Sequence, residues 1–356
     1  MRHSTWIIPV ALITPFAGAG AQADSTESPS APLFSSHEPL RLVLRAPFHS
    51  LFGNRDEDAP ALPATMIHVQ DGDSVHMELD VELRGNNRRK SSVCNFPPLR
   101  IDFPRSEMSG TVFENQNRLK VVTQCQSGRD QYEQYVLLEY LIYRSLNVLT
   151  DLSFQVRLAH FIYEDTEGRR DTLEQTGFII EDDDDMAERN GWEILEIPIV
   201  SPHAVDQQQV NLVEVFQFMI GHTDFSAFAV QEGEDQCCHN GRLVGSMAGP
   251  VYPVPYDFDF AGLINARYAE VAPGINARSV RQRVYRGVCH PDEALQETIR
   301  RFVEKKDEIY QLFQNQQGLE DRQKQQAIDY LDEFYEIITD PGQTRRRLSN
   351  QCRRLN

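Results

Sequence analysis

The sequence predicts an α+β fold with two lobes, an antiparallel β-sheet lobe followed by a mostly helical lobe. Apolar residues alternate with polar residues in several segments between positions 40 and 125, and they recur at helical spacing from position 292 onward. A run of strands followed by a run of helices is typical of α+β proteins. With 356 residues and 40% hydrophobic content, the chain can bury a core of ordinary size.

Residues 1–39 are predicted to lie outside the folded body. Residues 1–23 resemble a secretory signal, because Arg2 precedes a short apolar stretch and Ala21-Gln22-Ala23 offers a cleavage site. The apolar stretch is too short, and too broken by proline, to remain as a membrane span. Residues 24–39 are rich in Ser, Pro and acidic side chains, a composition typical of a flexible leader. We therefore expect an exported protein, periplasmic or extracellular.

Residues 40–181 are predicted to form the β-rich lobe, which includes one buried helix. Asp71-Gly72 lies between two alternating runs, which is a hairpin signal. The segment 132–146 is apolar on nearly every side and predicts a helix buried in the core. Strand-like patterns cover residues 40–44, 66–69, 75–83, 99–103, 119–122, 154–163 and 177–181.

Residues 182–340 are predicted to form the helical lobe, which carries a metal site. Helical patterns cover residues 181–189, 210–220 and 292–338. Residues 341–356 form a basic tail around Arg345-Arg346-Arg347, which favours a solvated segment or a contact with an anion. The formal charge of the whole chain is −18, which argues against nucleic acid as a partner because phosphate binding needs clustered Lys and Arg.

The six cysteines indicate disulfides in an oxidising compartment. Cys94 and Cys125 flank strand-like segments and are expected to pair. The adjacent Cys237 and Cys238 rarely bond to each other, so we expect each to take a separate partner, with Cys289 and Cys352 as candidates.

The most informative segment is Pro255-Tyr256-Asp257-Phe258-Asp259-Phe260, in which two carboxylates lie within an apolar stretch. Buried carboxylates require a metal ion, an Arg or Lys partner, or a shifted pKa. On a strand, positions i and i+2 share a face, so Asp257 and Asp259 are predicted to reach one cation. Mg²⁺ or Mn²⁺ is the expected ion, and structural Ca²⁺ is the main alternative.

Upstream of this segment lie Asp224, in a loop after an apolar helix, and Asn240. The order Asp, Asn, Asp-x-Asp is typical of phosphoryl-transfer sites, where one Asp positions the attacking hydroxyl while an Asn and a second Asp hold the metal. Asp224 could instead cap the next helix, and Asn240-Gly241 could be a simple turn.

Glu139 lies inside the apolar helix and is predicted to need a positive partner. Lys120, in the preceding apolar strand, is the natural candidate, and a buried Lys–Glu pair of this kind aims an ammonium at nucleotide phosphates. The alternatives are a purely structural ion pair, or a helix that turns Glu139 to solvent. Glu181 ends an apolar strand at the position where a hinge between lobes would fall.

The order of these parts resembles the CotH-type atypical kinases of spore coats and similar exported bacterial proteins. The resemblance covers roughly residues 75–270, through Leu83-Arg84-Gly85-Asn86, Leu119-Lys120-Val121, the helix with Glu139, Phe178 to Glu181, Thr223-Asp224 and Tyr256-Asp257-Phe258-Asp259. It implies a two-lobe protein-kinase-like fold, and it departs from that pattern by lacking a Gly-rich phosphate loop.

The resemblance also implies roles for individual residues. Lys120 would contact phosphate with Glu139 as its partner, and Asp224 would be the catalytic Asp. Asp257 would bind the metal, with Asn240 and Asp259 as auxiliary ligands. Glu181 would lie beside the nucleotide. The phosphoryl donor would be ATP or, because ATP is scarce outside the cytoplasm, an unusual donor.

The expected function is therefore metal-dependent phosphoryl transfer from a nucleotide to a protein acceptor. One alternative is an inactive binding or scaffold protein with a structural cation site. Another is a metal-dependent phosphoester hydrolase, in which Asp224 would orient water. The sequence has no Gly-x-Ser-x-Gly segment and no Gly-x-x-x-x-Gly-Lys segment, so neither a serine hydrolase nor a P-loop enzyme is indicated.

Overall fold

The computed structural model describes residues 32–70, 72–230 and 236–354. The predicted signal segment and the first part of the predicted leader lie outside the described residues. The strand predictions for the N-terminal half are confirmed in number and approximate place. These strands are β1 (Leu40–Ala46), β2 (Leu62–Gln70), β3 (Asp73–Leu83), β4 (Leu99–Asp102), β5 (Arg118–Val122), β6 (Val156–Asp165) and β7 (Leu173–Ile180).

These seven strands form a closed barrel in the order β1-β2-β3-β4-β5-β7-β6. The barrel closes because β1 pairs with β6 in parallel, from Leu40 opposite Ala159 to Ala46 opposite Asp165, and the other neighbouring strands pair antiparallel. The prediction of a two-lobe protein-kinase-like fold with an open antiparallel sheet was therefore wrong. Alternation within a strand shows which side chains are buried, but it does not show which distant strand lies alongside.

The outer face of the barrel carries the first residue of the candidate site. On β5, Leu119 and Val121 pack into the barrel interior, whereas Val122 packs into the core around the long helix α2 (Asp130–Leu149). Successive side chains of a strand point to opposite faces, so Lys120 points out of the barrel with Val122. Lys120 is nevertheless only 5% exposed, because the C-terminal half of the chain covers that face.

The C-terminal half contains the predicted helices and, in addition, a small sheet that the sequence did not predict. The sheet consists of β8 (Glu193–Ile194), β9 (Gly241–Gly245) and β10 (Val251–Pro255), in the order β10-β9-β8. Two prolines in β10 argue against a strand, and they are tolerated because β10 is an edge strand. The helices of this half are α3 (Asp183–Arg189), α4 (Gln207–Ile220), α5 (Asp292–Glu304), α6 (Lys306–Asn315), α7 (Asp321–Thr339) and α8 (Pro341–Thr344). A further short helix, α1 (Phe48–Gly53), lies between β1 and β2.

The disulfides differ in part from expectation. Cys94 bonds to Cys125, as predicted, with their Cα atoms 4.6 Å apart. The expectation of separate partners for Cys237 and Cys238 was wrong, since they bond to each other. Cys289 bonds to Cys352, because a bridge between Val288 and Arg353 brings the two chain segments side by side. The predicted basic tail is thus attached to the body as far as it is described.

Three disulfides are compatible with an exported protein. Within the described ranges, no helix combines the length and apolar character needed to cross a membrane.

Peptide mapping without reduction should recover three linked pairs, Cys94 with Cys125, Cys237 with Cys238, and Cys289 with Cys352. Replacing both Cys94 and Cys125 by Ser should lower the free energy of unfolding by about 3–4 kcal/mol, because the bond closes a loop of 31 residues. Denaturant unfolding measures this loss. A peptide in which Cys237 is linked to Cys289 or Cys352 would contradict the observed connectivity.

Candidate functional site

Charged side chains from eight places in the chain meet where the barrel faces the helices. Their charges interact across the whole region, so that Asp257, for example, influences Glu139, His222 and Tyr256. The contributing residues are Arg84 and Arg88 after β3, Lys120 of β5, Glu139 and Tyr143 of α2, Asp183 of α3, Asp224 after α4, His239 and Asn240 before β9, Arg242 of β9, and Tyr256, Asp257 and Asp259 after β10. We call the part around Lys120 and Arg242 the basic half and the part around Arg88 the acidic half.

The basic half has two cations that share one carboxylate. The Lys120 ammonium pairs with Asp183 Oδ1, and Arg242 Nε donates to Asp183 Oδ2 over 2.9 Å. Arg242 also donates to the Tyr256 hydroxyl, and the ammonium of Lys120 lies 5.0 and 5.3 Å from the ring centres of Phe154 and Tyr256. Lys120 and Arg242 outweigh the effect of burial and hold the pKa of Asp183 well below its usual range, so this carboxylate is ionised.

The predicted partnership between Lys120 and Glu139 was wrong. Strand β5 pairs with β7 so that Lys120 lies opposite Ile180, and Asp183 follows three residues after Ile180. The acidic run at the start of α3 therefore places one carboxylate beside the ammonium. Burial lowers the pKa of Lys120, and Asp183 opposes that shift.

The acidic half has three carboxylates around one guanidinium. Arg88 Nη2 donates to Asp257 Oδ1 over 2.7 Å, its Nε lies 3.2 Å from Asp259 Oδ2, and its Nη1 lies 3.5 Å from Glu139 Oε2. Arg88 is 7% exposed. The sequence prediction that Asp257 and Asp259 share one cation agrees with this arrangement, but the cation is Arg88. Arg88 was not among the predicted site residues, although Arg88-Arg89-Lys90 is a visible basic cluster just after a predicted strand.

One guanidinium does not neutralise the two buried carboxylates of Glu139 and Asp259 together with the partly exposed Asp257. Burial raises the pKa of Glu139 to about 8, and the charges of Asp259 and Asp257 add to the rise while Arg88 opposes it. Burial likewise raises the pKa of Asp259 to about 7. The acidic half therefore holds protons near neutral pH.

A turn, rather than a strand, brings Asp257 and Asp259 to the same guanidinium. Strand β10 ends at Pro255, and Asp257 has a φ of 59°, a left-handed conformation that Asp adopts more readily than most residues. The backbone N–H of Asp257 donates to the Tyr143 hydroxyl over 2.9 Å, so α2 supports this turn as well as supplying Glu139 one helical turn earlier.

Two glycines bring the Asp224 loop beside the Asp257 loop. Helix α4 ends at Gly221, which has a φ of 68°, and the N–H of Gly262 donates to the carbonyl of Gly221 over 3.1 Å. A Cβ atom at either glycine would collide with the Tyr330 side chain. This close approach explains why both positions are glycine, and it fixes the distance between the two loops.

Asp224 is held by the two residues that precede β9. His239 Nε2 lies 3.0 Å from Asp224 Oδ1, and Asn240 Nδ2 donates to the backbone carbonyl of Asp224 over 2.6 Å. The carbonyl of Asn240 in turn accepts from the N–H of Tyr256 over 3.0 Å, which joins Asp224 to the Asp257 loop. Although burial opposes it, the hydrogen bond and charge of His239 lower the pKa of Asp224. The carboxylate is thus ionised and 23% exposed.

Glu181 does not offer its side chain to the site. Arg189 Nε and Nη2 both donate to its carboxylate over 2.9 Å, and the N–H of Gln155 donates to it as well. The expected place of Glu181 beside a nucleotide is therefore not supported by its contacts. Arg189, the last residue of α3, pairs with Glu181 and was not among the predicted site residues.

The side-chain oxygens of this site fit a divalent cation only in part. No cluster of three or more His, Cys, Asp or Glu side chains able to hold a metal occurs in the described part of the chain. Asp257 Oδ1 and Asp259 Oδ2 are bonded to Arg88, whereas Ca²⁺ prefers six to eight oxygen ligands. Asp257 Oδ2 and Asn240 Oδ1 each accept no hydrogen bond from a described residue. One carboxylate is enough for Mg²⁺ when phosphate oxygens and water complete its shell.

No protein-family model matches this chain, and no curated protein matches it. The resemblance to CotH-type kinases therefore stays a prediction, and the chemistry of the site has to support any function on its own.

Replacing Arg88 by Met should destabilise the protein by about 3–5 kcal/mol at pH 7, because the buried carboxyl groups of Glu139 and Asp259 and the partly exposed Asp257 would lose their shared partner. Arg45→Met is the matched control, since Arg45 pairs with Glu164 at the surface and such pairs contribute about 0–1 kcal/mol. Denaturant unfolding of both variants measures the difference. Equal losses would contradict the central role of Arg88.

Glu139 and Asp259 should make stability fall as pH rises. Because their pKa values in the folded protein, about 8 and about 7, lie above the ordinary values of 4.5 and 3.8, their stabilising contribution is complete below about pH 4 and is lost as pH rises to about 8. Glu139→Gln should flatten this part of the pH profile, whereas Glu164→Gln at the surface should not. Unfolding at steps between pH 4 and 9 checks both variants, and an unchanged slope in Glu139→Gln would refute the assignment.

Proposed function

We propose that this protein transfers a phosphoryl group from a phosphate-bearing ligand, such as a nucleotide, to a hydroxyl acceptor. The observation that carries the proposal is the hydrogen-bonded connection between the basic half and Asp224. Tyr256 accepts from Arg242 through its hydroxyl and donates to Asn240 through its N–H, and Asn240 holds Asp224. These hydrogen bonds link Arg242 of the basic half to the loop that carries the ionised carboxylate of Asp224.

The basic half supplies binding. An ammonium has three donors and a guanidinium has five, so the bonds to Asp183, Gly241 and Tyr256 leave donors of Lys120 and Arg242 for phosphate oxygens. Because Asp183 balances only one of the two charges, this half favours an anion. Its partial burial strengthens the attraction relative to a fully solvated patch.

Asp224 supplies orientation of the acceptor. An ionised carboxylate can accept a hydrogen bond from the attacking hydroxyl and receive its proton as the new bond forms. His239 and Asn240 fix the carboxylate before the ligand arrives, which reduces the entropy lost on forming a reactive complex.

The acidic half would hold a magnesium ion through Asp257, and the Asn240 side chain, which is bonded to Asp224, would be an auxiliary ligand. Such an ion would neutralise charge on the phosphate oxygens. Arg88 keeps Asp257 in its turn conformation, and the Tyr143 hydroxyl supports the same turn. The fold adds no weight to the proposal, since a closed barrel is not the kinase architecture and function is argued from the site.

A second candidate is a binding or scaffold protein without catalysis, and Arg88 is the observation that favours it. A guanidinium already compensates Asp257 and Asp259, so these carboxylates have a structural role without any metal. Hydrolysis of a phosphoester is a variant of the main proposal, in which Asp224 orients water and phosphate is released without an acceptor.

Calorimetric titration with Mg·ATP should show binding by the wild-type protein and a loss of affinity of tenfold or more in Lys120→Met. Asp224→Asn should bind Mg·ATP with nearly unchanged affinity, but it should lower transfer of the terminal phosphoryl group by about 10²–10⁴-fold, the usual contribution of a general base. Labelled phosphate appearing on protein, or released as free phosphate, separates transfer from hydrolysis.

The control is Arg45→Gln, which removes an exposed positive charge elsewhere on the barrel and should change neither quantity. If the wild-type protein binds neither Mg·ATP nor pyrophosphate, the phosphoryl-transfer proposal fails and the scaffold candidate stands.

A further inference from the structure

Arg84 differs from the other two arginines that follow β3. Arg88 is bonded to the carboxylates of the acidic half, and Arg89 donates to the backbone carbonyls of Leu83, Gly85 and Asp56. Arg84 donates its backbone N–H to the carbonyl of Pro98 over 3.0 Å, but no described residue accepts a hydrogen bond or ion pair from its guanidinium. The side chain is partly exposed, so its donors are open to a ligand.

Strand register places Arg84 on the same outer face of the barrel as Lys120. Glu82 lies opposite Arg100, and Arg100 lies opposite Lys120, so these three form one row across β3, β4 and β5. Arg84 follows Glu82 by two positions and shares its face. Two strand spacings separate β3 from β5, roughly 10 Å, a distance that two long side chains extending toward each other can span.

The electrostatic effects of Arg84 agree with this position. Burial lowers the pKa of Lys120, and the charge of Arg84 lowers it further. The same charge opposes the burial-driven rise of the pKa of Glu139 and of Tyr256. The guanidinium therefore lies close enough to influence residues of β5, α2 and the Asp257 loop, at the boundary between the basic half and the acidic half.

Arg84 leaves the basic half with more positive charge than its carboxylates balance. Lys120 and Arg242 share the single ionised carboxylate of Asp183, and Arg84 adds a third positive charge close enough to lower the pKa of Lys120, which burial also lowers. The neighbouring Asp182 is partly committed, because its carboxylate accepts from the N–H of Asp184, and burial with the charge of Asp183 raises its pKa. An anion with two or more negative charges would restore the balance.

We propose that Arg84 is a third phosphate-binding cation of this site, and that the site takes ligands with a diphosphate or a longer phosphate chain. This inference rests on the proposed function, because Lys120 and Arg242 must bind phosphate for Arg84 to extend their array. A chain of two or three phosphates can contact cations that lie several ångströms apart, whereas one phosphate reaches only some of them. Arg84 thus makes the site bind a chain of two or three phosphates more tightly than a single phosphate.

The test is calorimetric titration with inorganic phosphate, pyrophosphate and tripolyphosphate, each in the presence of EDTA and again with Mg²⁺. The wild-type protein should bind pyrophosphate and tripolyphosphate at least tenfold more tightly than phosphate. Arg84→Gln should lose most of that preference, with a tenfold or greater loss for pyrophosphate, and Arg84→Lys should recover part of it. Thermal unfolding of Arg84→Gln should match the wild type, because no described residue forms a hydrogen bond or ion pair with the Arg84 guanidinium.

Arg45→Gln is the matched control, since it makes the same change in net charge on β1, which is not a neighbour of β5. Unchanged pyrophosphate affinity in Arg84→Gln would overturn this inference and leave the proposed function standing. An equal loss in Arg45→Gln, or wild-type affinity for phosphate as high as for pyrophosphate, would also overturn it. No binding of any of the three anions would overturn the inference and the proposed function together.

Discussion

The buried guanidinium of Arg88 joins three parts of the protein that are far apart in sequence. It belongs to the loop after β3, and its ion pairs reach Glu139 on α2 and Asp257 and Asp259 after β10. Without this charge, the two buried carboxyl groups of Glu139 and Asp259 and the partly exposed Asp257 would have no shared counter-charge. Arg88 therefore links the barrel, the long helix and the Asp257 loop, and the Tyr143 hydroxyl adds a second contact between that helix and the loop.

The site around this interaction is divided by sign of charge. On one side, two cations share Asp183 with Arg84 nearby, and on the other, three carboxylates share Arg88. Tyr256 lies between them, with its hydroxyl accepting from Arg242 and the next residue bonded to Arg88. Such a division suits a ligand that carries phosphate and a cation together, since each component meets its opposite charge. It also explains why the raised pKa values belong to Glu139 and Asp259, whereas the pKa of Asp183 is low.

Long-range pairing of strands decided two features that local patterns could not show. The register of β5 against β7 brought Asp183 to Lys120, and Arg88 rather than Lys120 became the partner of Glu139. The parallel pairing of β1 with β6 closed the barrel. The sequence shows that Lys120 and Glu139 need partners of opposite charge and that β1 needs a neighbouring strand. Several residues or strands could meet each of these needs, and local patterns do not choose among them.

The sequence by itself determined most of the helices and strands, the pairing of Cys94 with Cys125, and the need of Asp257 and Asp259 for a compensating charge. These follow from periodicity and from the free energy of burying charge, which act locally. Only the tertiary structure decided which cation that is, how the barrel closes, and which cysteines bond after residue 230. Several of those outcomes depend on contacts between segments more than a hundred residues apart, such as Arg88 with Asp257 and β1 with β6. The hydrophobic pattern and the charge of a residue show that it needs a partner, and the packed fold determines which residue that partner is.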